Sequence, residues 1–390
     1  MRVQPQTPEI VAAASALLGR PLTEPVELSE GRDDAFVLRC RDAAAGDSLV
    51  GESVSETAVA GGTGAGGTVV VKTYPQTAEG VSCFAAESAG LVVAGSSALG
   101  PALLGADPGP QLVVMSDLGG GLSLADVLLT GSAPEARTAL LDWAGACGRL
   151  SVVTNAHRSE FDGLTARYRA GRPDERHLAG LPGRVLAAAE SAAKMGVPAP
   201  EGLAGELAEV AAAAAADQYA VFSPGDICPD NNLLTSAGVR FIDFEEAGFH
   251  PVFLDAAYIT MPFSTCWCVF RFPRELSAEA EAAHREQVSS LWPELADDAV
   301  WQPGLRRAVA AWTMSSTSWL LRRSLAADVP MNSEQPSPHT RQLMRYRWQS
   351  LLAELEPAGD LPAIAALVRS LLTATAGWHA PELPLYPAFR

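Results

Sequence analysis

Ser223-Pro-Gly-Asp-Ile-Cys-Pro-Asp-Asn-Asn-Leu-Leu234, followed after a short turn by Phe241-Ile-Asp-Phe-Glu245, decides the reading of this chain. Asp226 stands five residues before Asn231, and Asp243 ends a short apolar strand. Three oxygen-bearing side chains on a loop and a hairpin suit a hard divalent cation, which takes oxygen ligands. The segment Gly238-Val-Arg-Phe-Ile-Asp243 alternates and then turns wholly apolar, the pattern of a strand that enters a core.

An Asp-x4-Asn pair followed by a strand-borne Asp is how kinases arrange a base and two ligands for magnesium-ATP. The stretch resembles the aminoglycoside phosphotransferase family, the small-molecule branch of the protein-kinase-like fold. That family carries His-Gly-Asp-x4-Asn and then Ile-Asp-Phe/Trp-Glu/Asp. The chain matches it at Gly225, Asp226, Asn231, Ile242, Asp243, Phe244 and Glu245. A further family Asp, at a helix start, is similar to Asp255 in Leu254-Asp-Ala-Ala-Tyr258. Pro224 stands where the family has His, a departure that bears on the bracing of the loop more than on its chemistry. Only residues 221–258 match closely; the rest follows the family in motif order. The competing reading is a chance Asp/Asn-rich hairpin in an unrelated domain.

The resemblance implies an α+β, bilobal protein-kinase-like fold. Its small β-rich N-lobe would span residues 1–117 and bind nucleotide. Its larger, mainly helical C-lobe would span 118–390 and hold the catalytic loop and the acceptor. The implied reaction moves the γ-phosphoryl group of ATP to a hydroxyl, with Asp226 as base and Mg2+ on Asn231 and Asp243. Asp230 and Asn232 flank the metal residue and are left out of its ligand set, because adjacent side chains in extended backbone point to opposite sides.

Upstream, Thr68-Val-Val-Val-Lys-Thr73 is a β-branched run ending in Lys72, as in the strand whose lysine grips the α- and β-phosphates. Phe84-Ala-Ala-Glu-Ser-Ala-Gly-Leu-Val-Val93 reads as the next helix and supplies Glu87 to orient that lysine. Val26–Gly31 and Ala35–Cys40 read as two strands around a turn that would cover the phosphates. Gly31 is the only glycine of that turn, and a hairpin turn without a ligand looks the same. Residues 42–67, with Ala60-Gly-Gly-Thr-Gly-Ala-Gly-Gly67, read as a long flexible loop, since they carry too little apolar surface to offset the entropy of ordering. No Gly-Lys-Ser/Thr follows, so a Walker loop is excluded. Gln111–Met115 reads as a strand leading to a hinge, where the backbone of Met115, Ser116 and Leu118 would meet the adenine edge. Ser123 then caps a helix over 124–129.

Residues 133–157 form a long helix with Leu140, Leu141, Trp143, Cys147 and Leu150 at helical spacing, and His157 at its end is read as structural. The charged stretch 158–180 reads as loop. Helices follow over 181–195 and 201–218, then a strand over 218–222. Beyond Asp255 the chain reads as mainly helical, with amphipathic stripes over 305–320 and 346–355. The aromatic-rich stretch 261–270 shapes an acceptor pocket or forms a core helix. The Pro-rich residues 329–340 are a lid or a solvated connector.

The chain has 390 residues and a formal net charge of −17, which excludes nucleic acid and anionic membrane as main partners. The acidity favours cationic acceptors, or serves solubility alone. Glu245 either lines a cationic pocket or anchors a loop. The N-terminus lacks the apolar core of a signal peptide, and the expected location is cytoplasmic, with six reduced cysteines. Cys228, Cys266, Cys268 and His250 suggest a zinc site, but Cys-x-Cys is not the usual spacing and buried thiols are the plainer reading. The acceptor would be a small molecule; the alternatives are Ser/Thr of a natural-product precursor peptide, or a nucleotide-binding scaffold with no turnover.

Overall fold

The computed structural model describes residues 7–28, 35–43, 67–261, 263, 266–333 and 337–390. Gly31 and the turn expected over the phosphates lie outside the described residues, as do residues 44–66 of the Gly-rich segment.

In chain order the first half runs α1 (Thr7–Leu18), β1 (Leu22–Glu27), β2 (Phe36–Asp42), β3 (Thr68–Thr73), α2 (Ala78–Gly95), β4 (Leu103–Asp107), β5 (Leu112–Ser116), α3 (Leu124–Thr130), α4 (Ala133–Thr154), α5 (Arg158–Arg169) and α6 (Leu181–Ala193). The second half runs α7 (Leu203–Ala214), β6 (Ala220–Ser223), β7 (Asn232–Thr235), β8 (Gly238–Phe241), β9 (Gly248–Pro251), α8 (Val252–Thr260), α9 (Arg274–Val288), α10 (Asp298–Ala326), α11 (Thr340–Ala358) and α12 (Pro362–Ala374). These elements form two compact units. Unit 1 comprises Met1–Gly121, Ala156–Arg176 and Arg240–Gly248; unit 2 comprises Leu122–Asn155, His177–Val239 and Phe249–Arg390.

Unit 1 is built on an antiparallel sheet of order β1-β2-β3-β5-β4. Strand side chains alternate between faces. Leu38, Cys40, Val69, Val71, Leu112 and Val114 therefore share one face, which buries against Ile10 and Ala14 of α1. Gly19, at φ +65°, takes the left-handed conformation that ends α1. The same alternation turns Lys72 to the opposite face, where β3 pairs it across to Val37 and Val113.

Three expectations for this unit change. The first strand is not confined to Val26–Gly31: β1 begins at Leu22 and runs through Pro25. Proline is tolerated because β1 is an edge strand and its register slips between Thr23 and Val26, where Glu24 adopts φ +49°. The edge strand β4 was not anticipated; Gly105 and a register shift between Leu103 and Gly105 break its alternation. Residues 158–180 are not all loop, since Arg158–Arg169 form α5. Phe161, Leu164, Thr165 and Tyr168 recur at helical spacing and Tyr168 packs edge-on to Phe84 of α2 at 5.3 Å, so tertiary burial overrides the charged composition.

Unit 2 is helical around α10. Between Ala308 and Thr317 this helix is buried on every side, which is why it shows no polar face. Two of its hydroxyls are satisfied within the helix, Ser316 donating to the Trp312 carbonyl (2.6 Å) and Thr317 to that of Thr313 (2.8 Å), while Thr313 donates to Met261 Sδ (3.2 Å). The large indoles around it are also satisfied, Trp348 donating to Thr317 Oγ1 (3.0 Å) and Trp312 to the Leu254 carbonyl (3.1 Å). The described residues of 261–270 are irregular, which removes the core-helix alternative, yet Met261, Phe263, Cys266, Cys268 and Val269 are buried. No helix among the described residues is long and apolar enough to cross a membrane.

Candidate active site

Within unit 1 the structure brings four of the expected residues together around one ammonium. Lys72 Nζ lies 3.3 Å from Glu87 Oε2, 2.5 Å from Asp243 Oδ1 and 2.9 Å from Glu245 Oε2. Glu87 itself is fully buried. Its Oε2 also accepts from the Tyr74 hydroxyl (3.0 Å) and from the Phe244 backbone N–H (2.9 Å). The helix thus orients the strand lysine and pins the segment that carries Asp243.

That segment is held tightly on α2. A Cβ at Gly90 would stand 2.8 Å from the Phe244 Cβ, so only glycine lets the buried Phe244 seat against the helix. Asp243 takes the left-handed φ of +66°, uncommon outside glycine though least so for Asp and Asn. Arg176 caps the other end of the segment by donating to the Ala247 carbonyl, while Asp174 holds its guanidinium at 2.6–2.9 Å.

The electrostatics follow from one cation among three carboxylates. Burial alone would favour a neutral amine at Lys72, but Asp243, Glu245 and Glu87 outweigh it and hold its pKa well above the ordinary value. Burial, with the nearby charge of Asp243, raises Glu245 to about 7 against the opposing pull of Lys72. Burial also raises Glu87. Carboxylate oxygens of Glu87, Asp243 and Glu245 lie within 4.8 Å of one another, a hard-donor set with negative charge in surplus over the single ammonium. Glu245 contacts Lys72, which favours its anchoring role over a place in an acceptor pocket.

Within unit 2, β6 delivers the other expected pair. Residues 223–225 and 227–229 are buried, whereas Asp226, Asp230 and Asn231 are partly exposed. Asn231 Nδ2 donates to the Asp226 backbone carbonyl (3.0 Å), closing the Asp-x4-Asn loop on itself. Asn232 is structural: its Oδ1 accepts from the Leu124 N–H (3.1 Å) at the start of α3 and its Nδ2 donates to the Pro229 carbonyl (2.9 Å). Asp230 accepts from the Trp267 indole at 2.7 Å.

Asp255, matched to a family position in the sequence, has partners the sequence did not reveal, and the bonds of Asp117 were not read from the sequence at all. Asp255 is buried, accepts from Ser223 Oγ (3.0 Å) and lies 2.8 Å from His250 Nε2. His250 is engaged by Asp255 through Nε2, and among the described residues the cluster of possible metal ligands around the cysteines comprises Cys228, Asp230 and Cys266 without it. Beyond β5, the buried Asp117 binds Arg39 (2.7 Å) and Thr68 Oγ1 (2.7 Å). These bonds outweigh burial and hold its carboxyl below the usual range. Arg39 also reaches the Gly119 carbonyl (3.2 Å), so the stretch just after Met115 and Ser116 is fixed from β2. Ser116 is itself engaged by Ala102, its N–H on the Ala102 carbonyl (2.9 Å) and its Oγ accepting the Ala102 N–H (2.9 Å). Leu118 is half-buried.

The model of the phosphotransferase enzyme family matches residues 48–314, more than half of the chain. No curated protein sequence matches it. Among solved structures, the amicoumacin kinase hAmiN in complex with AMP-PNP, Ca2+ and Ami is similar at a TM-score of 0.51 and 12% identity, over 89% of this chain and 93% of that one. The choline kinase of Cryptosporidium parvum Iowa II gives a TM-score of 0.49 and 14% identity, over 88% of this chain and 93% of that one. The expected α+β, protein-kinase-like fold is thus shown.

Proposed function

The chain belongs to the phosphotransferase enzyme family, and from that premise we propose that it transfers the γ-phosphoryl group of ATP to a hydroxyl of a small molecule. The observation that carries this reading is the buried Lys72–Glu87 pair with Asp243 on the same ammonium. Residues 1–117 would bind the nucleotide and residues 118–390 would carry the loop and the acceptor.

Lys72, oriented by Glu87, binds the α- and β-phosphates, and the backbone at Met115, Ser116 and Leu118 receives the adenine edge. Asn231 and Asp243 would hold Mg2+, an assignment supported by the oxygen-only donor set at Asp243 and its surplus negative charge. When bound, Mg2+ supplies neutralisation of phosphate charge. Asp226 hydrogen-bonds the acceptor hydroxyl, aims its oxygen at the γ-phosphorus and takes its proton as the new P–O bond forms. The bond to the β,γ-bridging oxygen breaks, and ADP leaves with that electron pair. The net charge of −17 supports a cationic acceptor.

The test incubates the protein with Mg2+-ATP and a panel of cationic antibiotics and small amino alcohols, and mass spectrometry follows phosphate adducts. Adduct formation by the wild type, reduced at least 10³-fold by Asp226→Asn with ATP affinity retained, is the expected result. Undiminished transfer by Asp226→Asn would remove this residue as the base.

A further inference from the structure

Unit 2 carries a second concentration of metal-ligating atoms that phosphoryl transfer does not use. Cys228 and Asp230 lie in the loop between β6 and β7, and Cys266 lies on the irregular stretch after α8. One ligand atom from each falls within 4.8 Å of the other two. Both thiols are buried, at 4% and 2% exposure, while the half-buried Asp230 offers a path from solvent. Cys266 Sγ stands 4.0 Å from Asp230 Oδ1 and 3.1 Å from Cys268 Sγ. The other carboxylate oxygen, Asp230 Oδ2, accepts from the Trp267 indole at 2.7 Å, which leaves Oδ1 turned toward the thiols. An outer hydrogen bond of this kind is what orients a metal-ligating carboxylate.

Two thiolates and a carboxylate suit a borderline-soft cation; Mg2+ and Ca2+ prefer all-oxygen sets. A Zn–S bond of about 2.3 Å sets tetrahedral thiolates ~3.8 Å apart, inside the observed spread. The charge also balances. Zn2+ with two thiolates and one carboxylate carries −1, and the buried guanidinium of Arg347 lies within electrostatic reach of both Cys266 and Cys228.

We propose that Cys228, Asp230 and Cys266 form a zinc-binding site, bordered by Cys268, that ties the loop bearing Asp226 and Asn231 to the stretch after α8. On binding, two S–H bonds are replaced by two S–Zn bonds and two protons leave to solvent. The site is independent of the phosphotransferase reading, because its ligands are not those proposed for the nucleotide or Mg2+.

The reduced full-length protein is titrated with Co2+ as an optical probe and then with Zn2+. Expected is a thiolate-to-cobalt charge-transfer band that one equivalent of Zn2+ abolishes. Cys266→Ser and Cys228→Ser lose the band, and Trp267→Phe weakens zinc binding about tenfold through the freed carboxylate. Cys40→Ser and Cys83→Ser keep it. Should a ligand variant fail to fold, hydrogen exchange of the wild type decides: zinc, and not Mg2+ alone, slows exchange across 226–231. A wild type with no cobalt–thiolate band, a band that survives in Cys266→Ser, or zinc without effect on exchange in that loop overturns the proposal.

Discussion

Removing the carboxylate of Glu87 tests the centre of the unit 1 cluster, and its size follows from the hydrogen bonds that meet there. Oε2 accepts from Lys72, Tyr74 and Phe244, at 3.3, 3.0 and 2.9 Å, and the side chain is 0% exposed, so solvent does not screen these bonds. Glu87→Ala leaves a buried hydroxyl and a buried N–H without their acceptor, each costing about 1–3 kcal/mol. Lys72 keeps Asp243 and Glu245, so its share stays at the low end, and the total comes to about 3–7 kcal/mol. Glu87→Gln retains one oxygen for Tyr74 and Phe244 and loses only the charge facing Lys72, a cost of about 1.5–3 kcal/mol. That is a large part of the ~5–15 kcal/mol by which folded proteins are stable. Urea unfolding of both variants gives the midpoints, and calorimetry gives the ATP affinity. The expected order of stability is wild type, Gln, Ala, with ATP bound at least tenfold more weakly by both variants. If both unfold at the wild-type urea concentration, or bind ATP as the wild type does, Glu87 does not organise this cluster.

Asp243→Ala should abolish the strengthening of ATP binding by Mg2+ while the protein stays folded, because Glu87 and Glu245 still surround Lys72; an unchanged Mg2+ effect on ATP affinity contradicts its role as a ligand. His250→Phe removes one of two partners of the buried Asp255 and should cost about 1–3 kcal/mol and lower kcat with ATP affinity kept, whereas wild-type kcat would show that the brace is dispensable. His284 of α9 is fully buried, and burial depresses its pKa from 6.5 to about 4. The folded protein then binds this proton less readily than the unfolded chain, so the stability it contributes is complete above about pH 6.5 and is lost as pH falls toward 4, by about 3 kcal/mol. His284→Leu should remove that part of the acid sensitivity; urea midpoints that fall in parallel for both proteins between pH 7 and about pH 4 refute it.

What was legible in the sequence is chemistry that repeats on a short scale. A β-branched run marked β3 and its lysine, Lys72, which the folded sheet turns to the face opposite Val69 and Val71. Glu87 was legible because helical spacing around Phe84 and Leu91 turns one residue type into a direction. The expected lysine–glutamate pair came from the kinase-like order of a strand lysine, a helical glutamate and the 226–243 motif, as the resemblance implies. Other features depend on what the chain meets at long range. Pro25 argues against a strand until β1 is known to be an edge, and the charged 158–169 argues against burial until α2 presents Phe84. Asp117 and His250 are unremarkable by type and spacing. Their roles come from partners 78 residues away at Arg39 and five residues away at a buried Asp255, and only the fold brings either pair together.

The departure at Pro224 shows how a motif residue can be absent while its physical task is still done. A proline followed by Gly225 at φ +82° is the pattern of a tight turn, and proline offers no N–H and no polar side chain to brace it. The neighbouring Ser223 takes up that work, its Oγ accepting from the Gly225 N–H and donating to Asp255 Oδ1, both at 3.0 Å. His250 reaches the same oxygen from β9, the strand paired with β6, so the imidazole arrives from across the sheet and not from within the loop. Both partners of the buried carboxylate are therefore present, and the loop enters Asp226 from a fixed turn. The reading of the chain as a scaffold without turnover rests on the missing histidine and on the glycine-poor turn at Gly31, which lies outside the described residues. Once the bracing function of that histidine is found elsewhere, the intact set of Lys72, Glu87, Asp226, Asn231 and Asp243 weighs on the side of catalysis.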